Sequence, residues 1–422
     1  MTKHLLLLVG VWGLSLFSHP AWAQLAADAI ARKYAETIQE SDLKKHLFII
    51  AADSMEGRYT GSQGQKKAAK YIANHFEQLG LTPPVADGNA KSYFQPFQMV
   101  ERRIDNATMS IGNEAKTFLK DFYVLNYSAM NTPTSLPVVF AGQGEAQDFA
   151  ELQAQGVSLQ GKAVVCFKSK TTADEKAKQA RRLGAQTLII IIGNSQKEFD
   201  EDVSFNAYYI KKATKQLVQK TPPEQSIFFV SHPTAAQLLG IEASNLTEKL
   251  TIGTSAAAPV ELSVNIQDKL IWSSENVVGL MEGTDKKDEY VIITAHYDHV
   301  GITNGVVYNG ADDDGSGTVS VLEIAEAFAQ AKAEGNGPRR SVVFMTVAGE
   351  EIGLFGSQFY TDVEPIFPLE NTVVDLNIDM VGRIDDKYKK LNNPNYIYLI
   401  GSDKLSSTLH QLSEEVNQTY TT

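Results

Sequence analysis

The stretch Tyr290-Val-Ile-Ile-Thr-Ala-His-Tyr-Asp-His299 joins an apolar run to a polar end with two histidines and an aspartate. Two similar apolar runs follow at residues 341–347 and 373–378, and each leads directly into acidic residues. Runs of this length, rich in Val and Ile, are typical of strands that are buried on both faces. They predict three strands of an open α/β sheet.

The polar residues at the ends of these strands are His296, Glu350, Glu351 and Asp379. In open α/β sheets the ligand site lies beyond the carboxyl ends of the strands, so we expect these side chains to converge. An acidic loop at residues 312–314 follows the first strand. Carboxylates packed together raise each other's pKa, and a divalent cation removes that repulsion. One imidazole with several carboxylates and no thiolate predicts zinc in a catalytic site.

A helix is predicted from near Ser316, because its apolar residues recur at helical spacing. These residues are Val321, Leu322, Ala325, Phe328 and Ala329. Glu323 and Glu326 lie off this stripe and are predicted to be exposed to solvent. Asp312 and Asp314 are interpreted as caps at the positive end of this helix. His299 is interpreted as a wall of the pocket or as a neighbour of the metal ligands.

The composition is that of a globular protein, with 43% hydrophobic and 21% charged residues in 422. The formal net charge of -12 argues against nucleic acid and anionic membranes as partners. The single cysteine, Cys166, excludes an internal disulfide and is interpreted as a small buried residue.

Residues 1–23 are predicted to be a signal peptide. Their apolar segment Leu5–Phe17 is too short to span a bilayer, and Ala21-Trp-Ala23 fits a cleavage site. No later run is long and apolar enough for a membrane helix. We therefore expect export to the periplasm or the extracellular space, with cleavage after Ala23.

Changes of composition near residues 132–137 and 253–259 predict an inserted domain at residues 136–258. The segments on either side, residues 24–135 and 259–422, are then the two parts of the main domain. The inserted segment contains apolar strands but no cluster of acidic residues or histidines.

Four motifs, at residues 294–299, 310–317, 348–353 and 377–380, contain these polar residues. In this order they resemble the exported di-zinc aminopeptidase family that includes bacterial leucine aminopeptidases and aminopeptidase Y. Glutamate carboxypeptidases and glutaminyl cyclases are relatives of that family. Residues 136–258 resemble its inserted protease-associated domain, and the Glu56-Gly-Arg58 loop resembles its amino-terminal segment. The resemblance implies an α/β fold with a mixed, largely parallel central sheet flanked by helices. It also implies a small inserted domain of α/β or β-rich structure.

The resemblance also implies the metal ligands. His296, Asp313 and Asp379 would bind the first zinc ion. Asp313 would bridge to the second zinc ion, which Glu351 also binds. The family has a further histidine ligand beyond the Asp379 motif, but this sequence has only His410 there, in a predicted amphipathic helix. We therefore expect a catalytic domain that is incomplete at its carboxyl end, with a second zinc site that lacks its histidine.

Two further roles follow from the same resemblance. Asp298 would hold the His296 imidazole by its other nitrogen. Glu350 would be the general base for a metal-bridging water that attacks the peptide carbonyl. A cis peptide bond is expected between Asp313 and Asp314.

Three functions remain open at this point. The first is an aminopeptidase that acts on peptide substrates, and the second is a carboxypeptidase or glutaminyl-cyclase-like enzyme on the same fold. The third is an inactive, truncated chain that binds peptides. An aminopeptidase needs acidic residues near the substrate amine, whereas a carboxypeptidase needs Arg or Lys near the substrate carboxylate.

Overall fold

The computed structural model describes residues 26–125, 130–218, 226–392 and 394–420. The predicted signal peptide lies outside the described residues. Within these ranges, no helix combines the length and the apolar character needed to cross a membrane.

The strands, in chain order, are β1 Val85–Asp87, β2 Ala90–Ser92, β3 Phe94–Ile111, β4 Glu114–Lys116, β5 Phe122–Leu125, β6 Met130–Leu136, β7 Val138–Phe140, β8 Ala163–Phe167, β9 Thr187–Ile192, β10 Thr214–Leu217, β11 Ile227–Ser231, β12 Val260–Met281, β13 Lys286–His296, β14 Gly301–Thr303, β15 Val306–Tyr308, β16 Arg340–Val347 and β17 Thr372–Asn377.

The α-helices are α1 Ala29–Ala35, α2 Glu40–Ile50, α3 Gln63–Gln78, α4 Ala146–Ala154, α5 Ala173–Arg182, α6 Gln196–Lys211, α7 His232–Leu239, α8 Gly317–Ala333, α9 Phe355–Gln358, α10 Asp386–Lys390, α11 Ser402–Leu405 and α12 Ser407–Tyr420. Short helical turns occur at Asp53–Arg58, Ala243–Asn245, Ala311–Ser316, Phe359–Val363 and Leu369–Asn371.

The central sheet has the strand order β10-β3-β12-β16-β13-β17. In addition, β4 pairs with β3 and β6 pairs with β12. It confirms the predicted mixed α/β class with flanking helices. Parallel pairing is confined to β16, β13 and β17, whereas the other pairs are antiparallel. The expectation of a largely parallel sheet therefore holds only for the three strands identified from their apolar runs.

A second sheet has the order β5-β11-β9-β8-β7 and is parallel apart from the β5–β11 pair. Most of it comes from the segment predicted as an inserted domain. However, β5 precedes residue 136, and β10, from inside that segment, pairs with β3 of the central sheet. The boundaries at residues 136 and 258 stay a prediction. Cys166 is fully buried in β8, in agreement with its interpretation as a packing residue.

Helices cover one face of the central sheet at the site. Ile72 and Phe76 of α3 and Leu322 of α8 share one core with Ile293 and Phe344 of the sheet. The opposite face packs a smaller cluster around residues 278, 292 and 343. Burial on both faces explains why β13 and β16 contain continuous apolar runs in the sequence. The same burial predicted for the run at residues 373–378 is wrong, because β17 lies at the edge of the sheet and most of its side chains are exposed.

The predicted exposure of Glu323 is wrong. This residue is only 3% exposed, whereas Glu326 is exposed as predicted. The reason is that α8 contacts the central sheet on one side and the helices α1, α2 and α3 on others. A helix covered on several sides buries more than the single apolar stripe that its periodicity indicates.

Candidate metal centre

Three strand ends meet at one edge of the central sheet. β13 ends at His296, and its parallel neighbours β16 and β17 end at Val347 and Asn377. Because these strands run in the same direction, the loops that carry Glu350 and Asp379 start from the same edge. The structure thus brings together side chains that are more than 80 residues apart in the chain.

The first group of potential metal donors consists of His296, Asp313 and Asp379, whose ligand atoms all lie within 4.8 Å of one another. His296 Nε2 is 3.1 Å from Asp313 Oδ1 and 3.8 Å from Asp379 Oδ1. The imidazole is buried, whereas the two carboxylates are about 40% exposed. One buried nitrogen and two accessible carboxylates form a donor set suited to a catalytic zinc ion.

The second group consists of His299, Asp313 and Glu351, again within 4.8 Å. His299 Nδ1 lies 2.6 Å from Glu351 Oε1. The sequence interpretation placed His299 beside the ligands, and the structure adds its nitrogen to the donor group itself. Gly310 permits this arrangement, because a Cβ at that position would lie 2.5 Å from His299 Cγ. Asp313 belongs to both groups, as expected of a bridging carboxylate.

His410 lies elsewhere. It is in α12, and its Nδ1 is 2.8 Å from Ser402 Oγ. It joins none of the donor groups found among the described residues.

Glu350 stands beside the first group without belonging to it. Its Oε2 lies 3.8 Å from His296 Nε2, and its side chain is one-third exposed. Burial raises the pKa of Glu350, and the charges of Glu351 and Asp298 raise it further, while His296 lowers it. A carboxyl group with a raised pKa that is open to solvent suits proton transfer near neutral pH.

Asp298 holds two parts of the site together. Its buried carboxylate accepts hydrogen bonds from Thr60 Oγ1 at 2.6 Å and from the Glu350 backbone N–H at 3.2 Å. The predicted contact to His296 Nδ1 is made at 3.1 Å by the backbone carbonyl of Asp298, with the carboxylate 3.8 Å away. Asp298 therefore orients the imidazole through its main chain and the glutamate loop through its side chain.

Burial lowers the pKa of His296, but Asp298, Asp314 and Glu350 outweigh that effect and raise it to about 9. Without another cation, this imidazole therefore carries the positive charge that balances the acidic groups. A metal ion at the same place would take over that role and leave a neutral imidazole as its ligand.

The acidic loop is tied to the strands by Asp314 and Asp312. Asp314 is fully buried and accepts hydrogen bonds from the backbone N–H groups of His296, Gly317 and Met380 at 2.8–3.2 Å. Its bond to Gly317 is at the start of α8, as the capping interpretation expected. Asp312 accepts a 2.8 Å hydrogen bond from the backbone N–H of residue 382. The peptide bond between Asp313 and Asp314 is cis.

Arg58 is a site residue whose role the sequence interpretation missed. Its guanidinium is fully buried and donates to the backbone carbonyls of Ile50, Tyr297, Asn309 and Gly310 at 2.6–2.8 Å. These carbonyls belong to the end of α2, to the loop that carries His299 and to the segment that leads to Asp313. The signal in the sequence was the Glu-Gly-Arg loop, but its partners are distant in the chain.

The residues present fit a divalent cation. Burial raises the pKa of Asp314 to about 8 and also raises the pKa values of Glu350 and Asp379. Neighbouring carboxylates add to these shifts, for example Asp313 at Asp379 and Glu351 at Glu350. A cation between the donors would offset this repulsion.

A pocket of about 390 Å³ opens beside the first donor group. Ile292, Met345 and Tyr360 contribute apolar walls, and Glu350 and Asp379 contribute carboxylates. The site therefore combines candidate metal donors with space for an organic ligand.

Residues 276–422 match the family model described as peptidase family M28. This part of the chain is therefore similar to that peptidase family. The similarity supports a metallopeptidase, and the residues of both donor groups lie within the matched segment.

Curated relatives extend the similarity beyond that segment. The chain is 26% identical over 395 residues to aminopeptidase YwaD of Bacillus subtilis, covering 88% of this chain and 72% of the relative. It is 24% identical to a glutamate carboxypeptidase 2 homolog of Caenorhabditis elegans, covering 85% of this chain and 54% of the relative. The chain thus spans about half the length of the longer relatives.

Among solved structures, the zinc aminopeptidase BSAP from Bacillus subtilis is similar, with a TM-score of 0.40 and 20% identity. The similarity covers 90% of this chain and 77% of that one.

Proposed function

We propose that the protein is a zinc-dependent exopeptidase, an aminopeptidase that releases N-terminal residues from peptides. The observation that carries this proposal is the carboxylate of Asp313, which is shared by two donor groups, with Glu350 free beside them. A shared carboxylate suits a pair of ions, and a free one suits proton transfer.

His296, Asp313 and Asp379 would hold the first ion. Asp313 and Glu351 would hold the second ion, and His299 is placed to supply its nitrogen. When bound, such ions supply Lewis-acid polarisation of the substrate carbonyl and lower the pKa of water.

Glu350 takes a proton from the attacking water and later gives it to the nitrogen of the departing amine. Asp298 fixes the backbone of Glu350 through its 3.2 Å hydrogen bond, so the carboxylate stays aimed at the reaction site. The pocket beside Glu350 would receive a side chain of the peptide next to the cleaved bond.

The aminopeptidase assignment draws on YwaD, the relative named as an aminopeptidase, which is matched over most of both chains. A carboxypeptidase is the second candidate, because Arg383 offers a cation near the acidic loop. Its Nε lies 3.5 Å from Asp312 Oδ2, and its side chain is 79% exposed. In a carboxypeptidase this guanidinium would bind the substrate carboxylate.

We also propose that the chain acts outside the cytoplasm and that its partners are peptides. The predicted signal peptide supports export, and the net charge of -12 argues against nucleic acid. The number of subunits plays no part in this proposal.

The proposal is tested with aminoacyl nitroanilides and with peptides blocked at either end. We expect hydrolysis that a chelator abolishes and added Zn²⁺ restores. Blocking the amino end should prevent hydrolysis, whereas blocking the carboxyl end should not. The opposite pattern would establish the carboxypeptidase, and a folded protein without chelator-sensitive hydrolysis would reject both enzymes.

The variant Glu350→Gln separates catalysis from metal binding. It should lower kcat/KM by a factor of about 10²–10⁴ while the protein retains its bound zinc. Glu248→Gln, at an exposed position between α7 and β12, is the matched control and should leave both quantities unchanged. Equal activity in the two variants would remove Glu350 from the mechanism.

A further inference from the structure

A third group of potential metal donors lies away from the strand ends. Ligand atoms of His46 on α2, His75 on α3 and Glu326 on α8 all lie within 4.8 Å of one another. The group shares no residue with the two described above. Glu326 is nine residues beyond Gly317, which places it about 14 Å along α8 from the acidic loop.

Each imidazole is oriented by a hydrogen bond to one of its nitrogens. His46 Nδ1 lies 2.6 Å from Tyr71 Oη, and its Nε2 faces Glu323 Oε1 at 3.3 Å. The ring of His75 is hydrogen-bonded to the backbone of Leu322. A histidine that is fixed in this way through one nitrogen is pre-oriented to bind a metal ion through the other.

Two polar atoms at this place are buried and lack a hydrogen-bond partner among the described residues, His75 Nε2 and Glu323 Oε1. Glu323 is only 3% exposed, so bulk solvent cannot compensate for the missing hydrogen bond. Leaving such atoms unsatisfied is costly. A cation bound by His46, His75 and Glu326 would give His75 Nε2 a partner.

We propose that His46, His75 and Glu326 bind a divalent first-row transition ion such as Zn²⁺. Two imidazoles and one carboxylate are suitable protein ligands for a tetrahedral zinc ion. Tetrahedral bonds of the usual length put donors about 3.4 Å apart. The exposed side chain of Glu326 can rotate to reach that spacing.

The ion would connect the three helices α2, α3 and α8, which lie behind the acidic loop at residues 312–314. Leu47 of α2 packs over Gly315, since a Cβ on Gly315 would lie 3.0 Å from Leu47 Cδ1. α8 begins directly after the same loop. A metal ion between α2, α3 and α8 would therefore stabilise the helices on which the acidic loop rests, without contacting the substrate.

The first test counts bound metal. The full chain and its His75→Gln variant are dialysed against the same free Zn²⁺, and the bound metal is measured by mass spectrometry. We expect the variant to hold one ion fewer per chain. His232→Gln is the matched control, because His232 is also buried but its Nε2 is engaged by the Leu246 carbonyl. Equal stoichiometry in all three proteins would overturn the proposal.

The second test isolates the site. In the double variant His296→Ala and Asp313→Ala both donor groups at the strand ends lose ligands, and Co²⁺ should still give the absorption of one tetrahedral ion. Adding His75→Gln should weaken Co²⁺ binding at least tenfold and abolish the rise of the melting temperature on metal addition. If His75→Gln unfolds the chain, Glu326→Gln at its exposed position takes its place with the same expectation. Co²⁺ binding that persists at full strength would reject these ligands.

Discussion

Replacing Arg58 with lysine tests whether one buried guanidinium assembles the metal centre. Arg58 donates four hydrogen bonds, through Nε to Tyr297, through Nη1 to Ile50 and Asn309, and through Nη2 to Gly310. Lysine keeps the positive charge but has only three donors, all on one atom. At least one of these carbonyls therefore loses its partner in the Arg58→Lys variant.

The size of the effect follows from the number of bonds. A hydrogen bond to a charged group contributes about 1.5–3 kcal/mol, so losing one or two should lower the free energy of unfolding by about 2–6 kcal/mol. Backbone strain does not enter the comparison, because Arg58 has a positive φ of 53° that lysine would share. Burial lowers the pKa of Arg58 to about 10, partly countered by Asp298 and Asp314, so the group stays charged at pH 7.

Urea unfolding followed by tryptophan fluorescence measures this loss. In the chain from residue 24 onward Trp272 is the single tryptophan, and its ring lies 5.8 Å from that of Tyr59, next to Arg58. The control is Arg339→Lys, because Arg339 is exposed and its ion pair with Asp285 is screened by solvent, so this variant should unfold at nearly the same urea concentration as the unaltered protein. Equal midpoints for the two variants would refute the reasoning. We also expect Arg58→Lys to weaken zinc binding, because the loops of both donor groups lose a common support.

Two further predictions concern the metal donors and the lone thiol. Asp313→Asn should remove zinc from both strand-end donor groups, whereas Asp379→Asn should affect only the first, as measured by bound zinc after dialysis. Equal losses would mean that Asp313 is not shared. Cys166 should not react with a disulfide-exchange reagent until denaturant is added, because burial raises its pKa to about 12, and rapid labelling of the folded chain would contradict this.

The strands of the site could be predicted closely. The run at residues 341–347 is observed as β16 Arg340–Val347, and the run that leads to His296 is observed as β13 Lys286–His296. Both strands are buried on two faces, so their apolar pattern is continuous and ends where the chain leaves the sheet. Because the strands are parallel, the order of the motifs along the chain was enough to predict which side chains converge.

The long antiparallel strands could not be predicted in the same way. The strand β12 begins at Val260 and pairs with β3 along most of its length. Residues 267–270 of β12 are exposed, and the first three of them are polar. The pairing register with β3 shifts on both sides of these four residues. This part of the sequence has the composition of a loop, and only its hydrogen bonds to a distant strand make it extended.

Arg58 and Glu323 show a common reason why the site was only partly predictable. Hydrophobic periodicity predicts which face of an element contacts its main neighbour. The burial of both residues, however, depends on several elements at once. Arg58 satisfies carbonyls from three separate segments, and Glu323 is buried because α8 also contacts α2 and α3. Charged residues are rarely buried without partners, so a buried one marks a place where distant segments meet. For Arg58 that place is the support of the catalytic loops, and for Glu323 it is the proposed metal site between the helices.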